Sequence, residues 1–120
     1  TCLMGAGSFQ LSAHAQRDLF KILAHSRRRF GEQSARRYDH LLFTAFEVIA
    51  EDPELLSSRE FLDMRVYHLR HCRKKAAVDG LIVKAPRHFV LYRIKEVGGI
   101  EILRLLHDEM DIEQQAKEIR

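Results

Sequence analysis

Two apolar runs near the end of the chain, Arg87-His88-Phe89-Val90-Leu91-Tyr92-Arg93-Ile94 and Gly99-Ile100-Glu101-Ile102-Leu103-Arg104-Leu105-Leu106-His107, flank Gly98-Gly99. Both are rich in β-branched and aromatic residues and have the length of a strand. The glycine pair supplies the positive φ angles that a tight connection needs. The stretch therefore predicts an antiparallel hairpin. Because both faces of each run carry apolar side chains, at least one face must be covered by another element.

The covering element is legible upstream. Phe9-Gln10-Leu11 alternates as a short strand does, and Ser12 stands where a helix over residues 12–30 needs its cap. Ala15, Leu19, Ile22, Leu23 and Phe30 recur on one face of that helix, which Gly31 ends. A second helix over residues 33–50 buries Tyr38, Leu42, Ala45 and Ile49. Leu41, Phe43 and Phe46 widen its stripe until Glu51-Asp52-Pro53 stops it. Residues 55–63 read as a loop anchored by Leu55, Leu56 and Phe61, and residues 65–71 as a strand. Residues 72–86 form a long connection with Asp79-Gly80 as its turn and Leu81-Ile82-Val83 as added strand. Asp111 with Gln114 predicts a capped last helix to Ile119. The expected fold class is α+β: a small antiparallel sheet with an N-terminal helical hairpin packed on one face and the other face open. Residues 1–8 are expected to be a disordered leader with Met4 as the native start, and residues 9–120 one domain.

Charge is unevenly distributed over the 120 residues. The net charge is +3, yet residues 65–93 hold eight Lys or Arg against Asp79 alone, a net of +7 that leaves −4 for the remainder. Such a segment suits a polyanionic or acidic partner. No run of eighteen apolar residues predicts a membrane span, and the expected location is the cytoplasm. Cys2 and Cys72 are too few for a disulfide framework and are read as thiols. His68, His71, Cys72, His88 and His107 resemble a metal inventory. Within a strand, however, His68 and His71 point to opposite faces, and four residues separate His68 from Cys72 by about 13 Å, too far for shared zinc ligation. Neither a metal nor any other cofactor is expected.

The segments "YHLRH", "PRHFVLYR" and "LRLLHDEMD", in this order and over residues 9–115, resemble the ParE branch of the ParE/RelE toxins, the toxic halves of bacterial toxin-antitoxin operons. The resemblance implies a toxin that poisons DNA gyrase without catalytic residues of its own and so arrests growth, a role tied to plasmid stabilization. It implies a ParD-like ribbon-helix-helix antitoxin whose tail folds on binding, with operator DNA reached only through that antitoxin. The alternative is a RelE-like ribonuclease that cuts messenger RNA on the ribosome. That chemistry requires an acid, a base and cations against the developing phosphorane charge, and His107 with Arg87 and Arg104 would supply them. A family member that only co-represses its operon remains a third reading.

Arg70, Arg73, Lys74, Arg87, Phe89, Arg93, Arg104 and His107 are the partner-binding candidates. Arg104 interrupts an apolar strand, so it is expected either to reach the open face or to pair with a carboxylate such as Glu101 or Asp111. His107 has an alternative structural role, hydrogen-bonded to the acidic turn that follows it.

Overall fold

The described residues form, in chain order, β1 (Phe9–Leu11), α1 (Ala13–Phe30), α2 (Glu32–Glu51), β2 (Arg59–Phe61), β3 (Met64–His68), a 3-10 turn (Leu69–Cys72), β4 (His88–Ile94), β5 (Ile100–His107) and α3 (Ile112–Ile119). They come from a computed structural model that describes residues 8–77 and 81–119. Cys2, Met4 and the Asp79-Gly80 turn lie outside the described residues. The Ser8 carbonyl accepts the Ile100 N–H at 3.1 Å and extends the sheet edge.

The expected hairpin is β4–β5. Gly98 and Gly99 take φ of 101° and 78°, and Lys95 N–H donates to the Gly99 carbonyl at 3.0 Å to close the connection. The five strands run in the order β1-β5-β4-β3-β2. All neighbours are antiparallel except β1, which lies parallel to β5 at the edge with Phe9 opposite Ile100. This departs from the all-antiparallel expectation. β1 and β5 are separated in the chain by both long helices and three strands, so no tight turn dictates their relative direction.

The helical hairpin lies on one sheet face. The Ser12 hydroxyl accepts the Ala15 N–H at 3.0 Å, capping α1, and donates to the Leu103 carbonyl at 2.8 Å, tying that cap to β5. Leu41, Leu42, Ala45, Phe46 and Ile49 of α2 pack with Val90, Tyr92, Ile100, Ile102 and Leu105. Each fully buried aliphatic of this kind contributes roughly 1.5–3 kcal/mol. The buried Tyr92 hydroxyl donates to the Pro53 carbonyl at 2.6 Å, and Cys72 is a buried free thiol. Phe30, expected on the packed face of α1, is 65% exposed at the hairpin tip.

The opposite face departs from the expected open one. α3 covers part of it, with Ala116 buried among Met64, Val66, Leu91, Leu103 and Leu106, and with Phe61, Phe89, Ile112 and Ile119 packed around them. The Asp111 carboxylate accepts the Gln114 N–H at 3.2 Å and caps this helix. A bulge makes the second face apolar. Leu91 pairs with Arg104 but Tyr92 pairs with Ile102, leaving Leu103 as the extra residue and shifting the alternation beyond it.

Three local expectations are corrected. Residues 55–63 contain a strand, β2, which pairs with β3 through a tight hairpin with Leu62 at φ 58°. Arg59-Glu60-Phe61 opens with two charged residues and shows no alternation. Leu56, expected as an anchor, is fully exposed. The strand expected to reach residue 71 ends at His68, whose Nδ1 accepts the Arg70 N–H at 3.0 Å and starts the 3-10 turn. Of the strand expected at Leu81-Ile82-Val83, only an isolated bridge at Leu81 is present. Among the described residues, no helix is long and apolar enough to cross a membrane.

Candidate functional site

The register of β4 and β5 places His88 directly opposite His107, and that of β3 and β4 places His68 opposite Phe89. At this end of the sheet, Asp108 follows β5 and Arg87 precedes β4. The Arg87 carbonyl accepts the Asp108 N–H at 2.8 Å, which continues the ladder by one step. Three chain segments thus deliver His68, Arg87, His88, His107 and Asp108 to one corner.

Asp108 organises the corner. Arg87 Nε donates to both of its oxygens, at 3.0 and 3.2 Å, and His68 Nε2 lies 3.2 Å from Oδ2. Burial opposes its charge, but the hydrogen bonds from His68 and Arg87 prevail and hold its carboxyl below the usual carboxylate range. Arg87 reaches Glu109 as well, at 3.2 Å. His68 is almost wholly buried and edge-on to Phe89, with ring centroids 4.8 Å apart.

Tyr38 of α2 descends onto the other side of the corner. Its hydroxyl lies 2.6 Å from His88 Nδ1 and accepts the Arg87 N–H at 3.1 Å. Burial pushes the phenol up to about 12. Burial, reinforced by the nearby His107, pushes His88 down to about 4. At neutral pH the phenol therefore keeps its proton and the imidazole is neutral, and the tautomer protonated on Nε2 lets Tyr38 donate to Nδ1 while its oxygen accepts the Arg87 N–H. The His88 and His107 rings meet edge to face at 5.4 Å. His107 Nδ1 accepts the Glu109 N–H at 3.1 Å, while its side chain remains 40% exposed.

Two clefts adjoin this corner. The smaller, about 550 Å³, is lined by His68, Arg70, His71, Arg73, Lys84 and Asp108. Burial lowers the His71 proton affinity first, and the Arg70 guanidinium beside it lowers it further. Arg73 Nη1 donates to the Lys84 carbonyl, pinning the long connection to the 3-10 turn. The larger cleft, about 800 Å³, runs between the helical hairpin and residues 82–88; Ile22, Phe30, Tyr38 and Val83 give it an apolar floor, and Lys21 and Arg37 stand among its cations.

Of the sequence candidates, Arg70, Arg73, Arg87 and His107 gather around these clefts, and Lys74 is exposed beyond the 3-10 turn. Arg87 lies one residue before the strand it was assigned to. Phe89 supports the corner through His68. Arg93, at the far end of β4, lies 3.6 Å from Glu101. Arg104 pairs with neither Glu101 nor Asp111; its Nε donates to Asp18 of α1 at 2.7 Å and its Nη1 to Gln115 of α3 at 3.3 Å. The partner lies on another element, which spacing along one strand does not reveal. The argument that His68 and His71 share a strand fails, because the strand stops at His68. Among the described residues, no three His, Cys, Asp or Glu gather as metal ligands. Tyr38, expected in the core, also holds the corner through its hydroxyl; its signal in the sequence is a hydroxyl in an apolar stripe, which needs a buried partner.

The family described as "ParE toxin of type II toxin-antitoxin system, parDE" matches residues 9–112. A solved structure of a chromosomal ParDE TA system from P. aeruginosa superposes with a TM-score of 0.63 at 16% identity, covering 85% of this chain and 96% of that one. At that identity the likeness is one of fold. No protein with a curated description matches the chain in sequence.

Proposed function

Since the chain belongs to the ParE toxin family of type II toxin-antitoxin systems, we propose that it is the toxic partner of such a pair, acting by binding DNA gyrase so that cleaved DNA accumulates, and neutralised by a cognate antitoxin. The family match over residues 9–112 carries this reading. The candidate site is compatible with it in physical terms. Arg70, Arg73 and Lys84 line the smaller cleft with no carboxylate partner among the described residues. The larger cleft joins an apolar floor to a cationic rim, the arrangement that receives an acidic, amphipathic segment. Binding of this kind uses the surface as a whole and needs no transition-state group.

The test is direct. Purified chain added to gyrase and supercoiled plasmid should yield linear, protein-linked DNA, and the co-purified antitoxin should suppress it. Unchanged supercoiling activity with folded chain present in excess would remove gyrase as the target.

One observation favours the ribonuclease reading as the alternative. His107 stands partly exposed beside a neutral His88, with Arg87 close by, and this places an acid-base group among cations. Mapping of messenger ends after induction distinguishes the two.

A further inference from the structure

The charge of residues 13–40 was hidden by averaging. The two helices α1 and α2 carry, over this stretch, seven Lys or Arg against Asp18, Glu32 and Asp39, a net of +4. Two of the three acids are already engaged: Asp18 binds Arg104, and Glu32 binds Arg27 at 3.0 Å. Arg17, Lys21, Arg28, Arg29 and Arg36 are exposed and have no carboxylate partner among the described residues. Arg17, Lys21 and Arg28 recur at helical spacing along the outer side of α1 over about 16 Å. Arg29 and Arg36 add charge where α1 turns into α2. Phe20, 75% exposed, projects between Arg17 and Lys21 in sequence, and Phe30, 65% exposed, ends the helix.

The macrodipole of α1 accounts for cations in its last turn, where Arg27, Arg28 and Arg29 stand. It does not account for Arg17 in the second turn of α1, for Lys21 at the middle of that helix, or for Arg36 in the second turn of α2, none of which lies in a last turn. A row of uncompensated arginines on a rigid helix, with aromatic rings among them, matches a regular array of negative charges. An anionic membrane fits less well. The apolar stripe of α1, with Leu19, Ile22 and Leu23, packs on the core, which leaves Phe20 and Phe30 as separate exposed rings and not a continuous apolar face for a bilayer.

We infer that the outer side of α1 and the tip of the helical hairpin bind the phosphate backbone of duplex nucleic acid, so that the chain contacts DNA itself as well as through a partner. The surface contains no arrangement for reading bases, and the contact is therefore independent of sequence. It lies apart from the smaller cleft, and it stands or falls separately from the gyrase reading.

Anisotropy of a labelled duplex of arbitrary sequence, titrated with the full chain across a salt series, tests the inference. Five phosphate contacts give a slope of log K against log salt of about −4.5. The triple substitution Arg28→Glu, Arg29→Glu, Arg36→Glu should weaken binding at least about tenfold and flatten the slope by about three, with a native circular dichroism spectrum and a melt lowered only by the two reversed charges in the last turn of α1. Because all three side chains are exposed, folding is not at stake. Four outcomes overturn the inference: no duplex binding at low salt, equal binding by the triple variant, loss of binding on Arg70→Glu with Arg73→Glu instead, or binding to phosphatidylglycerol vesicles without binding to the duplex.

Discussion

Asp18 and Arg104 form a two-pronged ion pair across the molecule, Nε to Oδ2 at 2.7 Å and Nη2 to Oδ1 at 3.2 Å, and the same Oδ2 accepts the Leu105 N–H at 3.0 Å. β1 pairs with β5 only as far as Ile102, so the Leu105 amide has no strand beside it. One carboxylate on α1 thus closes the sheet edge and neutralises the cation that interrupts β5. Asp18→Ala removes both functions at once. It should cost about 3 kcal/mol in a urea titration, because it strands a largely buried guanidinium and an amide. Arg104→Met, which leaves the amide bond in place, should cost less. Equal and small effects for the two substitutions would show that the pair is a surface contact.

His88 gives stability a pH dependence in the acid range. Its folded value lies near 4, against 6.5 for an exposed imidazole. Between these values the unfolded chain binds a proton that the folded chain refuses, so stability is full above about pH 6.5 and falls as pH drops towards 4. The loss is at most about 3 kcal/mol. Asp108, held below the usual carboxylate range, contributes only at lower pH still. Urea midpoints measured from pH 7 to pH 4.5 should fall for the wild type and fall much less for His88→Gln, which keeps an acceptor for Tyr38. A parallel slope in the variant would assign the effect to another group.

The hairpin, both long helices and the capped α3 were legible because each is written locally: glycines with positive φ, a serine cap, a repeating apolar stripe. What was not legible is long-range. The parallel pairing of β1 depends on where two helices return the chain. The engagement of Arg104 by Asp18 depends on α1 crossing the β5 edge. Tyr38 and His88 are fifty residues apart and meet only because β4 packs beneath α2. The covered second face was missed because the bulge at Leu103 breaks the alternation from which face assignments are read. The +7 segment was visible as a sum, but its acids and bases separate in space: Arg87 is engaged by Asp108 and Glu109, while Arg70 and Lys84 are not.

α3 seals the apolar face formed by Leu103, Leu106, Met64 and Val66. Ending the chain after Asp111 uncovers that patch and removes Ile112, Ala116 and Ile119 from it. The truncated chain should lose about 2–4 kcal/mol in a urea titration and bind a hydrophobic dye. An unchanged midpoint would mean that α3 contributes no packing energy.

Antitoxin affinity should depend on salt. Burying Arg70, Arg73 and Lys84 against a partner requires carboxylates there, and the exposed part of that attraction is screened. Calorimetry of the antitoxin tail at low and high ionic strength should show weaker binding at high salt, mainly through slower association. Arg70→Ala with Arg73→Ala should reduce the salt dependence. Identical dissociation constants at both ionic strengths would exclude the basic cleft as the contact.

His107 separates binding from catalysis. Its Nδ1 is committed to the Glu109 N–H, so His107→Ala removes one turn contact and one ring beside His88 and leaves the core intact. A residue in a spread-out binding surface contributes little on truncation, whereas an acid-base group accounts for a factor of about 10² to 10⁴ in rate. Growth arrest on induction should therefore survive His107→Ala, with DNA breaks accumulating in both strains. Ribosome-dependent messenger cleavage in the wild type, abolished by this one substitution while circular dichroism stays native, would transfer the function to the ribonuclease reading.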